Sequence, residues 1–220
     1  MKNVIKIFAP STEPNSLGAR FRKSRFQLFV KLTKKLAGPL RILDIGGLEE
    51  YWIINGIANN PRYEITLLNL TAQEVHHVNF KSVIGDATNL HQYKKNEFDI
   101  SFSNSVIDHL NSFDNQKKMA EEVRRVSKFY FVQCPYRYFP IEPHYLLPFA
   151  QFIPKQFLYS LLTKTKLSRG KIWDEEHAID YLKEIRLMSI RELRECFPSS
   201  QIHKERFLGM VKSITVHNFK

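Results

Sequence analysis

The sequence predicts an α/β fold in which a mostly parallel, seven-stranded sheet carries helices on both faces and ends in a C-terminal antiparallel hairpin. Three observations predict it. Between residues 41 and 133, short β-type runs alternate with helical ones, the pattern of parallel strands joined by crossover helices. Two later β-type runs, 201–207 and 212–217, are joined across Leu208-Gly209-Met210, too short a link for a crossover, so they pair antiparallel. No internal repeat, low-complexity tract or Gly/Ser linker divides the 220 residues, so one domain is expected.

The elements follow in order. Residues 1–38 read as a basic arm and a helix. Asn15 or Ser16 caps that helix, which runs to about Leu36 with Leu17, Phe21, Leu28 and Leu32 at helical spacing and Phe29 and Leu36 widening the stripe. Gly38-Pro39 stops it. The core, residues 39–135, carries strands at 41–45, 64–70, 82–84, 98–103 and 129–133, with helices from about Glu49, near Gln73 and over 116–126. Residues 136–188 open with a Pro- and aromatic-rich stretch and hold helices at 155–162 and 175–185. Residues 189–220 supply a helix at 190–196 and the hairpin.

Bulk composition excludes several classes. With 43% hydrophobic and 25% charged residues the chain is an ordinary globular protein. Cys134 and Cys196 lack the spacing of a zinc site or a redox dithiol, so reduced thiols, a cytoplasmic setting and no metal are expected. The longest run free of Lys, Arg, Asp and Glu, residues 143–154, contains three prolines and suits no membrane span. Residues 1–10 place a lysine inside what would be the apolar part of a signal peptide, which argues against secretion. The net charge of +11 is concentrated: residues 1–41 carry a balance of +9. Such a segment meets an anionic partner or is a solvated helix face.

The most informative segment is Arg41-Ile42-Leu43-Asp44-Ile45-Gly46-Gly47, an apolar strand ending in an acid and two glycines before a helix. Glycines at that turn let the backbone approach a ligand closely, in the crevice where open α/β sheets bind. Asp44 disfavours a pyrophosphate and suits a cationic ligand, and the full dinucleotide fingerprint is absent because Leu48, Glu49 and Glu50 follow.

On these residues the chain resembles the class I S-adenosylmethionine-dependent methyltransferases, similar to the bacterial type 11 group, which implies a Rossmann-like sheet. Asp44, Gly46 and Gly47 match the family's first motif, with Leu48 at its last glycine position. The resemblance implies that Asn69 stands where an acid usually binds the ribose hydroxyls. It implies that Asp86, with Ala87 beside it, meets the adenine. Residues 98–110, including Asn104, resemble the fourth strand and its loop. The implied cofactor is S-adenosylmethionine, held by Asp44, Gly46, Gly47, Asn69, Asp86, Ala87 and Asn104. An amide at 69 forgoes the charge assistance of a carboxylate, so Asn69→Asp is expected to tighten binding. Taken singly, Asp44 also reads as a helix cap, the glycines as a tight turn, Asp86 as a turn residue and Asn69 as a strand-end cap.

On the acceptor side, His109 follows the fourth strand, and Glu142 and His144 follow the fifth. Each is a candidate to position or deprotonate an acceptor, and the alternative for each is a hydrogen-bonded structural residue. Residues 129–159 hold 11 of the 28 aromatics. Tyr136, Tyr138, Phe139, Tyr145, Phe149 and Phe152 are expected to form a lid or pocket wall. The expected partner is a small-molecule, glycan or lipid-precursor acceptor. A nucleic-acid acceptor is the second reading, from the basic leading segment. A non-catalytic binding protein on the same fold is the third, because Leu48 and Asn69 depart from the family pattern.

Overall fold

A computed structural model describes residues 16–220. Call the helices α1 (Leu17–Thr33), α2 (Glu49–Ile54), α3 (Phe113–Val126), α4 (Lys155–Lys164), α5 (Glu175–Glu184) and α6 (Ile190–Cys196). The main strands are β1 (Leu40–Ile45), β2 (Tyr63–Asn69), β3 (Phe80–Ile84), β4 (Phe98–Asn104), β5 (Ser127–Pro135), β8 (Gln201–Phe207) and β9 (Met210–His217). A small hairpin pairs β6 (Ile141–Glu142) with β7 (Leu147–Pro148).

The seven main strands form one sheet in the order β3-β2-β1-β4-β5-β9-β8. β1 to β5 run parallel and β9 is antiparallel to β5, as the sequence predicts. Reversal from β1 towards β4 opens a crevice at the carboxyl ends of those strands. Leu208 and Gly209, with φ of 48° and 80°, make the left-handed turn that a tight hairpin needs.

Alternation along β1 feeds two cores. Leu43 and Ile45 face α3 and α6, while Ile42 faces Phe29 of α1 and Trp52 of α2. The second face is aromatic: Phe29 meets Trp52, Phe102 and Phe131 edge-on at 5.8, 5.1 and 5.6 Å. A third, smaller cluster around Tyr145, Leu162 and Trp173 packs α4 and α5 under the segment after β5. Short polar side chains start the helices, as at Ser16, Ser112, Asp174 and Ser189, each accepting from a backbone amide three residues on.

Two expectations are corrected. No helix forms near Gln73. Side chains hold that connection instead: Gln73 N donates to Ser82 Oγ at 2.9 Å, and the amides of His76 and His77 donate to the Glu49 carboxylate. The leading helix ends at Thr33, short of Leu36, because Arg62 Nη2 donates to the carbonyls of Thr33 and Leu36 and closes a turn there. The expectations for residues 1–15 lie outside the described residues. Among the described residues, Cys134 and Cys196 are free and buried, and no helix is long and apolar enough to cross a membrane.

Candidate active site

Strand register lines up the first group of candidate residues. Ile45 stands opposite Leu68 on one side and Ser103 on the other. One residue further on, Gly46, Asn69 and Asn104 therefore form a row at the carboxyl edge of β1, β2 and β4. Asn69 pairs with Ile84, so Gly85 and Asp86 follow beside it.

Gly46 leaves the strand at φ +72°, where its amide still donates to Leu68 O at 2.8 Å. A Cβ there would lie 2.5 Å from Val106 Cγ2. The loop then folds over the Asp44 carboxylate so closely that a Cβ at Gly47 would lie 1.7 Å from Oδ2. Asp44 is buried, and Trp52 Nε1 donates to Oδ2 at 2.7 Å. Burial raises its pKa to about 7, against the opposing pull of the Trp52 bond. Asp44 thus sits beneath the loop, packed against Gly47.

Asn69 Nδ2 donates to Gly47 O at 2.9 Å and clamps the loop from the β2 side. This bears on the carboxylate expectation, because a carboxylate cannot donate and would set its charge against that carbonyl. The lost bond and the repulsion outweigh a charge-assisted gain of ~1 kcal/mol. Asn69→Asp is therefore expected to weaken S-adenosylmethionine binding by about tenfold in calorimetry. A tighter variant would show that the amide clamp is dispensable.

Asn104 offers a buried Oδ1 with no hydrogen-bond partner among the described residues. Asp86 is exposed, and its Oδ1 accepts from both the amide and the hydroxyl of Thr88 at 2.8 Å, fixing a turn that buries Ala87.

A second group gathers at the ends of β4 and β5. Asp108 and His109 lie in a single 3-10 turn after β4, and His144 lies in the turn of the β6–β7 hairpin. The His109 and His144 rings meet edge-on at 5.0 Å. His109 Nδ1 is 2.5 Å from Glu184 Oε1, and His144 Nδ1 is 2.6 Å from Glu142 Oε1. Their Nε2 atoms lie 4.0 and 3.2 Å from Asp108 Oδ2. Burial would lower the His144 pKa, but Asp108 and Glu142 outweigh it and push it up to about 9. A free base at neutral pH is therefore a poor description of His144 in this state.

The surroundings hold this group rigidly. Glu142 Oε2 accepts from Tyr145 N at 2.7 Å, and Arg169 Nε donates to His144 O at 2.8 Å. Buried Gln116 donates to Ile107 O and Arg186 O, both at 2.8 Å, tying the 3-10 turn to the strap after α5. Sequence reasoning singled out His109, Glu142 and His144 and missed Asp108 and Glu184. Its place immediately before His109, after the apolar Val106-Ile107, was the available signal for Asp108; nothing in the local sequence marks Glu184.

The aromatics after β5 divide. Phe139 and Tyr145 are buried, whereas Tyr138, Phe149 and Phe152 are exposed, and Tyr138 stacks on Phe152 at 6.0 Å. A cavity of about 280 Å³ lies under this segment, lined by Arg137, Glu142, Gln151 and Arg186 among others. A larger one, about 1070 Å³, separates α1 from α2 and is lined by Lys23, Lys31 and Tyr51 among others, with Leu48 at the end of the glycine loop.

The methyltransferase-domain family model matches residues 54–129. No curated protein matches the chain in sequence. Among solved structures, the PH0226 protein of Pyrococcus horikoshii OT3 is similar at 17% identity, with all of both chains covered and a TM-score of 0.54. A SAM-dependent methyltransferase from Aquifex aeolicus is similar at 11% identity and TM-score 0.50, over 98% of this chain and 96% of that one. The CurJ carbon methyltransferase is similar at 13% identity and TM-score 0.56, over 97% of this chain but only 60% of that one. By its strand order and its antiparallel closing hairpin the chain has the class I methyltransferase fold, and its central strands carry the stretch that the methyltransferase-domain family model matches.

Proposed function

We propose that the protein binds S-adenosylmethionine at the row of Gly46, Asn69 and Asn104 and transfers its methyl group to a small acceptor held under the segment 136–188. The observation that carries this reading is the Gly46–Gly47 loop closed over the buried Asp44 carboxylate. An acid held near neutrality by burial, with no cation bonded to it among the described residues, favours a positively charged ligand above the loop. The rest of the row fits the same ligand. The buried, unpartnered Asn104 Oδ1 is an acceptor for an ammonium, Asn69 Oδ1 for a ribose hydroxyl, and Asp86 with Ala87 lies where an adenine edge would reach.

When bound, the cofactor supplies an electrophilic methyl on a sulfonium. The chain's own residues align donor and acceptor and exclude water. Glu184 and Glu142 hold the His109 and His144 rings by Nδ1, so both Nε2 atoms turn towards the buried Asp108 carboxylate at the end of the crevice. The cavity under the 136–188 segment has the scale of a small molecule, a sugar unit or a lipid headgroup, and Arg137 on its wall suits an acceptor bearing negative charge, Arg186 being paired already with Glu192. The nucleic-acid reading draws on the basic face of α1, but Arg25 from that helix turns inward to Glu205 and is lost to an outer partner.

Calorimetry with S-adenosylmethionine and S-adenosylhomocysteine tests the proposal. Saturable heat with both is expected. A folded protein giving none with either would favour the non-catalytic reading.

A further inference from the structure

We infer that Asp108, His109 and His144 form a binding site for one divalent transition-metal ion of the zinc class. Sequence spacing gives no hint of it, because His144 reaches the pair only through the β6–β7 hairpin. Three observations carry the inference.

Both imidazoles have Nδ1 engaged by a carboxylate, Glu184 for His109 and Glu142 for His144. Metal-ligating histidines characteristically donate their second N–H to such a partner, which fixes the tautomer and the ring direction. Here both rings are held so that Nε2 turns to the same carboxylate. Asp108 is that carboxylate, and it is fully buried with neither oxygen accepting a hydrogen bond among the described residues. His144 Nε2 stands 3.2 Å away, at ion-pair distance but without hydrogen-bond direction. Burying a carboxylate is unfavourable unless a cation or donors meet it, and among the described residues only the two histidine rings face Asp108, a place that a metal ion bound by all three would fill. Finally, one ligand atom from each of the three residues lies within 4.8 Å of the other two. Metal bonds of ~2.0–2.2 Å put ligand atoms of a tetrahedral site roughly 3.3 Å apart. The Asp108–His144 pair already has that spacing. His109, partly exposed on a one-turn segment, closes with a shift of roughly 1 Å.

Two imidazoles and one carboxylate select zinc-class ions over magnesium and calcium, which prefer all-oxygen sites. Three protein ligands leave a coordination position open, as in catalytic sites. Resting on the proposed methyl transfer, that position takes a hydroxyl oxygen of the acceptor. A metal-bound hydroxyl would release its proton to water near neutral pH, and its oxygen would then bond to the methyl carbon as the sulfonium carbon–sulfur bond breaks, leaving S-adenosylhomocysteine.

The test titrates the chelator-stripped protein with Co²⁺, reading visible d–d absorption, and with Zn²⁺ as competitor. One equivalent of Co²⁺ is expected, displaced by Zn²⁺. His109→Ala and Asp108→Asn should each weaken binding by about a hundredfold or more, and Glu184→Gln, outside the ligand set, by about tenfold. Circular dichroism checks that each variant is folded. Because Asp108 is buried, the partly exposed His109 decides the matter if Asp108→Asn unfolds. No Co²⁺ bound by the folded stripped protein, or unchanged affinity in His109→Ala, overturns the site. S-adenosylmethionine calorimetry on the same stripped sample separates the two proposals. Cofactor heat without Co²⁺ binding removes the metal site alone, and Co²⁺ binding without cofactor heat removes the methyltransferase reading alone.

Discussion

Gly46→Val is expected to lower S-adenosylmethionine affinity by about a hundredfold or more, equivalent to ~2.7 kcal/mol. Two effects combine. At φ +72° a β-branched residue is strained by ~1–3 kcal/mol, so the loop shifts towards ordinary backbone. Its Cβ would also stand 2.5 Å from Val106 Cγ2, and Val106 follows the β4 end that carries Asn104. Relief of either contact moves Gly46 out of the row with Asn69 and Asn104. Because the loop lies at the surface of the crevice, the melting temperature should fall by only a few degrees. Calorimetry and a thermal melt read the two quantities separately. A folded variant that binds normally would place the cofactor elsewhere.

Asp44→Asn is expected to flatten the pH dependence of stability between about pH 4 and 7. Burial raises the Asp44 pKa from 3.8 to about 7. In that window the native protein retains a proton that the unfolded chain has released, so stability falls as pH rises. The loss is absent below the unfolded pKa and complete above about pH 7. A shift of this size is worth up to ~4 kcal/mol, taking ~1.4 kcal/mol per unit. Asparagine still accepts from Trp52 but does not ionise, so the variant should be the more stable at pH 8 in urea titrations. Cofactor affinity should move the opposite way in the native protein, rising ~tenfold from pH 6 to 8 as the carboxylate charges. The asparagine variant should lose that rise. A variant whose stability tracks the native pH profile would mean that Asp44 is not the titrating group.

Strand positions were legible because each of the parallel strands interleaves apolar residues tightly between turn signals, and the closing hairpin because Leu208-Gly209 can adopt the required turn. The row of Gly46, Asn69 and Asn104 was legible for the same reason, since parallel register places successive strand ends side by side. What was not legible depends on contacts far apart in sequence. The segment near Gln73 has helix-compatible composition, yet its amides are taken by Glu49. Glu184 reaches His109 across 75 residues, and its neighbours say nothing of the imidazole it holds. Asn69 was read as a weaker version of an acid, whereas its donor nitrogen, which an acid lacks, is what ties it to Gly47.

The inward turn of Arg25 bears on the order of assembly. Its guanidinium sits 3.4 Å from Glu205 Oε1, a partner 180 residues away, and Lys212 and Ser213 of the closing hairpin reach the same carboxylate. Without that hairpin the arginine loses the carboxylate it pairs with among the described residues, and sheltering it against the aromatic face would leave a charge stranded in apolar surroundings. Contacts of such long range also bear the entropy of closing a large loop before they return anything. The helix made first thus completes its ion pairing only when the strands made last are in place, so that a sheet paired from β1 to β5 alone would leave its arginine without that carboxylate.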